Sequence, residues 1–295
     1  MKNLYKLLLI LYLSLNMAFS LETHSHEQEE GETQQNIHYE TQKGEDQNLA
    51  DTIQNEESIN IEKIKNLMPL KTLNISKIVT SEKETYIELS SKDLKVGEMG
   101  IIMRDLESYK AIVASVEVIK VEDSKVTAKV VEFIQLKQPF LPLARLIPQE
   151  EDRVIFRSFN DKAFLIAPNE EMYNAILSKY PFVNFIKSDL LMGFLNSRGK
   201  HDPTRKTLPK ACNEYAVGLL FIVGSKEIGV LSCQNLKTLY RLSIDIPSGI
   251  ETNSPFFTQV SFEGGGSLTY MFSSKKTKKD YFGYYDLLIN GEDKK

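Results

Sequence analysis

The chain has 295 residues, 42% of them apolar and 26% charged, and a formal net charge of −4. This composition supplies enough apolar material for one or two cored domains. It excludes a collagen-like chain and one disordered throughout.

Lys2 and Lys6 precede an almost unbroken apolar run over 7–15, and Ala18-Phe19-Ser20 follows with small residues. Positive charge, a short apolar core and a small-residue cleavage site are the parts of a secretory signal, so residues 1–20 are expected to be a signal peptide cleaved after Ser20. The run is shorter than the ~20 residues a spanning helix needs. No cysteine follows the cleavage site, which argues against a lipoprotein signal. No later apolar stretch is long enough to cross a bilayer, so no membrane span is expected after cleavage.

Residues 21–58 change character abruptly. Between Glu22 and Ser58 there are eleven acids and one base, Lys43. So few apolar residues cannot offset the entropy of ordering, and the stretch reads as a disordered acidic tether, leaving a mildly basic body beyond it.

The body reads as α+β. Its first part, 59–156, is expected to be a small antiparallel β-barrel or sandwich domain. A short helix over 60–68 places Ile61, Ile64 and Leu67 on one face and stops at Pro69. Strands follow at 75–79 and 85–89, and Gly97 and Gly100 flank another strand start. Ile112, Ala114, Val116 and Val118 alternate with more polar neighbours, Glu122-Asp123-Ser124 makes a turn, and Val126, Ala128 and Val130 continue the alternation, which predicts a hairpin. A Pro-rich loop over 138–142 leads to a last strand at 153–156.

The second part, 157–295, alternates helix and strand and is expected to be an α+β domain. Asn169 precedes a helix carrying Met172, Ile176 and Leu177, and 183–186 is a strand. Ser188 is the expected N-cap of a helix over 189–197. The polar stretch 198–210 reads as a loop. Residues 217–223 and 228–232 predict a buried hairpin around Gly224, and 259–263 with 268–272 a second one around Gly264-Gly265-Gly266. A closing helix is expected over 280–289, with Tyr281, Tyr284, Tyr285 and Leu288 available for packing.

Cys212 and Cys233 are the only cysteines and enclose 20 residues. In an oxidising compartment such a pair reads as a disulfide worth about 3 kcal/mol; two buried free thiols are the alternative. With no nearby His or Cys to complete four ligands, a metal site is not expected.

No HExxH, GxSxG, GxxxxGK[ST] or GxGxxG pattern is present. Three of the four histidines lie in the acidic tether, leaving His201 in a polar stretch as the one base candidate of the body. The reading is a protein that is not an enzyme and takes no cofactor. The residues that could meet a partner are Lys275, Lys276, Lys278 and Lys279, a dense positive loop, and the pair Lys294 and Lys295. No aromatic residues interleave the loop, so nucleic acid is not an expected partner. A C-terminal lysine offers an ammonium and a carboxylate that a receptor with acids, a cation and an aromatic trough can read.

Several strings resemble the N-terminal domain family of bacterial plasminogen-binding protein PgbA. They are Val96-Gly97-Glu98-Met99-Gly100-Ile101, Gln135-Leu136-Lys137-Gln138-Pro139-Phe140-Leu141-Pro142, Phe164-Leu165-Ile166-Ala167-Pro168-Asn169, Cys212-Asn213-Glu214-Tyr215-Ala216-Val217-Gly218-Leu219 and Asp280-Tyr281-Phe282-Gly283-Tyr284-Tyr285-Asp286-Leu287-Leu288. The resemblance covers roughly residues 65–290. It implies a surface-exposed protein that captures plasminogen through lysines read by kringle domains, with Lys295 and its neighbour Lys294 as the fitting position. The expectation is therefore an exported protein of the periplasm or bacterial cell surface. The alternative is a periplasmic structural or assembly protein that docks onto a larger envelope complex.

Overall fold

The structure is a computed structural model that describes residues 58–135, 140, 146–197, 203–247, 249–260 and 281–292. The expected signal peptide, nearly all of the acidic tether, and the Gly264-Gly265-Gly266 turn lie outside the described residues. So does His201.

A helix α1 over 58–65 leads into β1 (Lys71–Asn74), the first of twelve strands that form two sheets among the described residues. The first sheet is antiparallel with seven strands: β1, β2 (Lys77–Thr80), β3 (Thr85–Ser90), β4 (Met99–Asp105), β5 (Lys110–Glu122), β6 (Lys125–Val131) and β7 (Arg153–Phe156). Its order is β1-β7-β4-β5-β6-β3-β2. The two edge strands are consecutive pieces of one segment, broken only at Ile75 and Ser76, so the sheet curls into a half-barrel. This is the expected barrel-like antiparallel unit.

The alternation that predicts the β5–β6 hairpin is what fills the barrel. Val116, Val118, Val126 and Ala128 are fully buried, with Ile87, Ile102, Val154 and Phe156 packed beside them. The hairpin turn places Asp123 at φ 53, a left-handed conformation that a short polar side chain tolerates.

The second sheet is mixed, in the order β12-β11-β10-β8-β9. Its strands are β8 (Lys162–Ile166), β9 (Asn184–Ile186), β10 (Leu219–Val223), β11 (Glu227–Ser232) and β12 (Thr238–Ser243). β8 runs parallel to both β9 and β10, while β10–β11 is the antiparallel hairpin expected from the sequence. All five residues of β10 are buried because the strand is covered on both faces. One face meets α1, the turn after it and α2 (Glu170–Lys179) through Ile64, Leu67, Tyr173 and Ile176. The other meets α3 (Ser188–Ser197), α4 (Leu208–Tyr215) and α5 (Tyr281–Asn290).

The helix expected after Asn169 is α2, and Asn169 caps it, its side-chain oxygen accepting from the Met172 N–H at 3.0 Å. Other local readings are corrected. The third helix begins at Ser188 itself, one residue early. The stretch read as loop to residue 210 is helical from Leu208, because Pro209 in the first turn lacks only an N–H the helix does not use. β12 has no counterpart in the sequence reading; it forms by pairing along β11.

A buried ion pair at the corner between the two sheets holds the turn after α1 and the segment before β4. Arg157, at φ 66 in the corner between β7 and β8, donates from Nε to Glu98 Oε2 at 2.9 Å. Its other nitrogens reach Glu98 Oε1 at 3.3 Å, the Asn66 carbonyl at 2.7 Å and the Asp93 carbonyl at 3.0 Å.

Candidate functional site

The partner-binding residues expected from the sequence, Lys275, Lys276, Lys278, Lys279, Lys294 and Lys295, all lie outside the described residues. The structure does describe the element that separates the two lysine groups. α5 begins two residues after Lys279 and ends four residues before Lys294, spanning about 15 Å for ten residues at 1.5 Å each.

Its sequence explains why it is an anchor. Tyr281, Tyr284, Tyr285, Leu288 and Ile289 recur at helical spacing and are buried against α3, α4 and the second sheet. Tyrosines add a polar tip to a large apolar body. The Tyr285 hydroxyl donates to the Pro255 carbonyl at 2.8 Å and that of Tyr284 to the Pro203 carbonyl at 3.2 Å. Burial, with the Asp286 charge adding to it, pushes the Tyr281 phenol well above the ordinary tyrosine range, so it stays neutral.

Polar contacts fix the helix lengthwise. Asp286 accepts from the Ser225 N–H at 2.9 Å and the Ser225 hydroxyl at 2.6 Å, gripping the β10–β11 turn. At the far end three side chains converge on the last carbonyls. Thr238 Oγ1 donates to Ile289 O at 2.6 Å, Arg241 Nη2 to the same oxygen at 3.3 Å, and Arg205 Nη1 to Leu288 O at 3.2 Å. Two guanidinium groups at a helix C-terminus satisfy orphan carbonyls and oppose the negative end of the dipole. Gly291, at φ 79, turns the chain outward, with its N–H on Leu288 O and that of Glu292 on Leu287 O. Asn290, Gly291 and Glu292 are exposed.

Beneath α5 the cysteines form the expected bond. Cys212 in α4 and Cys233 after β11 are joined, with Cα atoms 5.6 Å apart. The Cys233 N–H also donates to Gly218 O at 2.8 Å. The bond therefore fastens the hairpin's two ends where the helix packs.

Sequence reasoning singles out the lysines and the cysteines but not Arg205, Thr238, Arg241 or Asp286. Each acts on an element about 50 or more residues away, and no local spacing signals it. Among the described residues, no group of three or more His, Cys, Asp or Glu side chains comes together as a metal site would, and no helix is long and apolar enough to cross a membrane. What the described geometry does is fix α5 at the β10–β11 turn and at its C-terminal carbonyls.

Comparison with known proteins gives a family. Residues 72–289 match the family described as plasminogen-binding protein PgbA, N-terminal. A plasminogen-binding protein PgbA of Helicobacter pylori strain J99 is 40% identical over 209 residues, which is 71% of this chain and 46% of that protein. Its counterpart in strain 26695 is 40% identical over the same length, 71% of this chain and 45% of that protein. The chain thus spans less than half the length of the curated relatives it matches.

Proposed function

The chain belongs to the plasminogen-binding protein PgbA N-terminal family, and on that premise we propose that it is an exported, non-catalytic protein that captures plasminogen through exposed lysines. The observation that carries the reading is the 40% identity, over 209 residues, to two proteins named for plasminogen binding. The lysines proposed to make the contact are Lys294 and Lys295, with Lys275, Lys276, Lys278 and Lys279 in support. An ammonium group on a long stem is a compact charge with three donors, suited to a receptor pocket built from acids and aromatic rings. Each contact is small, so useful affinity arises from several lysines engaging the repeated kringles of one plasminogen, or from clustering at the surface.

Export is supported by the Lys2, Lys6 and 7–15 pattern and by a disulfide that fits an oxidising compartment. The anchoring of α5 gives the lysine-bearing segments fixed roots.

The test is binding of the purified protein to immobilised plasminogen, with and without a free lysine analogue. Binding that the analogue abolishes is expected. It should weaken in a Lys294→Gln/Lys295→Gln variant, and further when Lys275, Lys276, Lys278 and Lys279 are also replaced by glutamine. Binding that the analogue leaves untouched, or full binding by the variant lacking all six lysines, would sink the proposal.

A further inference from the structure

A cleft of about 710 Å³ opens where α1 ends and β1 begins. It is walled by the 92–95 loop on one side and Tyr240 of β12 on another. Among the described residues four cations line it, Lys71, Lys92, Lys95 and Arg157, against one acid, Asp93. The Arg157 charge is cancelled from behind by Glu98, and Lys71 is paired with Asp93. That leaves Lys92 and Lys95 as two ammonium groups with no ion pair among the described residues.

Lys71, Lys95 and Arg157 are held in place by their neighbours, and Lys92 stands exposed beside them. Lys95 Nζ stands 4.2 Å from the centre of the Tyr240 ring, a cation–π contact that holds the charge at the cleft wall. The Lys95 backbone is fixed as well, its N–H donating to Glu98 Oε1 at 2.9 Å. Asp93 is steadied by the Ser91 hydroxyl at 2.7 Å and in turn positions Lys71. The Tyr240 phenol, raised above its ordinary value by burial and by the Glu98 charge, stays a neutral donor. Leu70 adds an apolar lip with 66% of its surface exposed.

We infer that this cleft is a binding site for a small dianionic ligand, a phosphate monoester or a dicarboxylate, with Lys92 and Lys95 as its charge partners. Two uncompensated ammonium groups match two negative charges. The volume lies in the range of small-molecule sites, so it admits the anion together with the carbon skeleton that bears it. Lysine suits phosphate and carboxylate as a point charge and needs no fork geometry. The inference does not depend on plasminogen binding, because none of the lysines proposed for that contact lines the cleft.

The test is amide NMR on the isotope-labelled protein at pH 8, titrated in parallel with inorganic phosphate, succinate and chloride at constant ionic strength. Saturable shifts confined to the amides of 70–72 and 92–95 are expected with at least one dianion and not with chloride. Saturation by phosphate alone would identify the ligand as a phosphate ester, and saturation by succinate alone as a dicarboxylate; both would mean that charge alone is read. Lys92→Gln should weaken binding and Lys92→Gln/Lys95→Gln should weaken it about tenfold or more, while Lys120→Gln, at an exposed side chain of β5, should leave it unchanged. Shifts that fail to saturate with either dianion, or that survive unchanged in the double variant, would overturn the assignment.

Discussion

Arg157 and Glu98 close a two-point ion pair in the interior, at 2.9 and 3.3 Å, with side chains only 5% and 2% exposed. Such a pair adds little to stability over a well-packed apolar substitute, but removing one partner leaves the other's buried charge without its close counter-charge. Glu98→Gln is therefore expected to destabilise the protein by about 3–5 kcal/mol. Replacing both, as Glu98→Gln/Arg157→Met, should cost less than the sum of the two single changes. Urea denaturation with a constant slope measures each term; additive costs would mean that the two side chains do not depend on each other.

The seating of α5 depends on glycines under it. A Cβ at Gly229 would stand 2.7 Å from Ile289 Cγ1, and one at Gly224 would stand 2.4 Å from Asp286 Oδ1. Gly229→Ala is expected to cost about 1–3 kcal/mol as overpacking. Adding Ile289→Ala makes room for the new methyl, so the double variant should be more stable than the two single effects predict. A Gly229→Ala protein with the parent's melting temperature would show that the helix is not held this closely.

The parts of this fold that were legible in the sequence are those whose signal is local. The β5–β6 hairpin announces itself by alternation, β7 by four residues between polar turns, and α2 by the Asn169 cap. α4 was hidden because Pro209 and Lys210 read as loop, although proline in a first helical turn is no obstacle. β12 owes its existence to β11, and the trio that caps α5 acts across 48 to 83 positions. The cationic cleft was illegible for the same reason: Lys71 and Tyr240 join Lys92 and Lys95 only through the fold. The lysines of the proposed plasminogen contact were visible as residue types, and their geometry is not something a charge pattern encodes.

The bond between Cys212 and Cys233 closes a loop with 20 intervening residues, for which chain entropy gives about 3 kcal/mol. Both sulfurs belong to buried residues of the cluster beneath α5, so two alanines would lose packing as well as the bond. Reduction in mild denaturant isolates the covalent part. It should lower the urea midpoint by the equivalent of about 3 kcal/mol, and the untreated, unfolded protein should show no free thiol until reductant is added. Two titratable thiols in the untreated protein would contradict the pairing.

Asp93 supplies a stability term whose pH dependence has a definite sign. Burial alone would raise its carboxyl, but hydrogen bonds from Lys71 and Ser91, with the charges of Lys71 and Arg157, outweigh that and hold it below the usual aspartate value. The folded state therefore binds the proton less readily than the unfolded chain. The contribution is fully present above the unfolded value of about 3.9 and is lost as pH falls through the lower folded value. Stability should decline as pH falls below about 4, and Asp93→Asn should flatten that decline while leaving the neutral-to-alkaline limb unchanged. The side chain is half exposed, so the effect is small and should shrink further in high salt as the Lys71 pair is screened. Urea midpoints at pH 7, 4 and 3 for the two proteins decide the matter: an acid decline of equal depth in the variant would assign the proton uptake to other carboxylates.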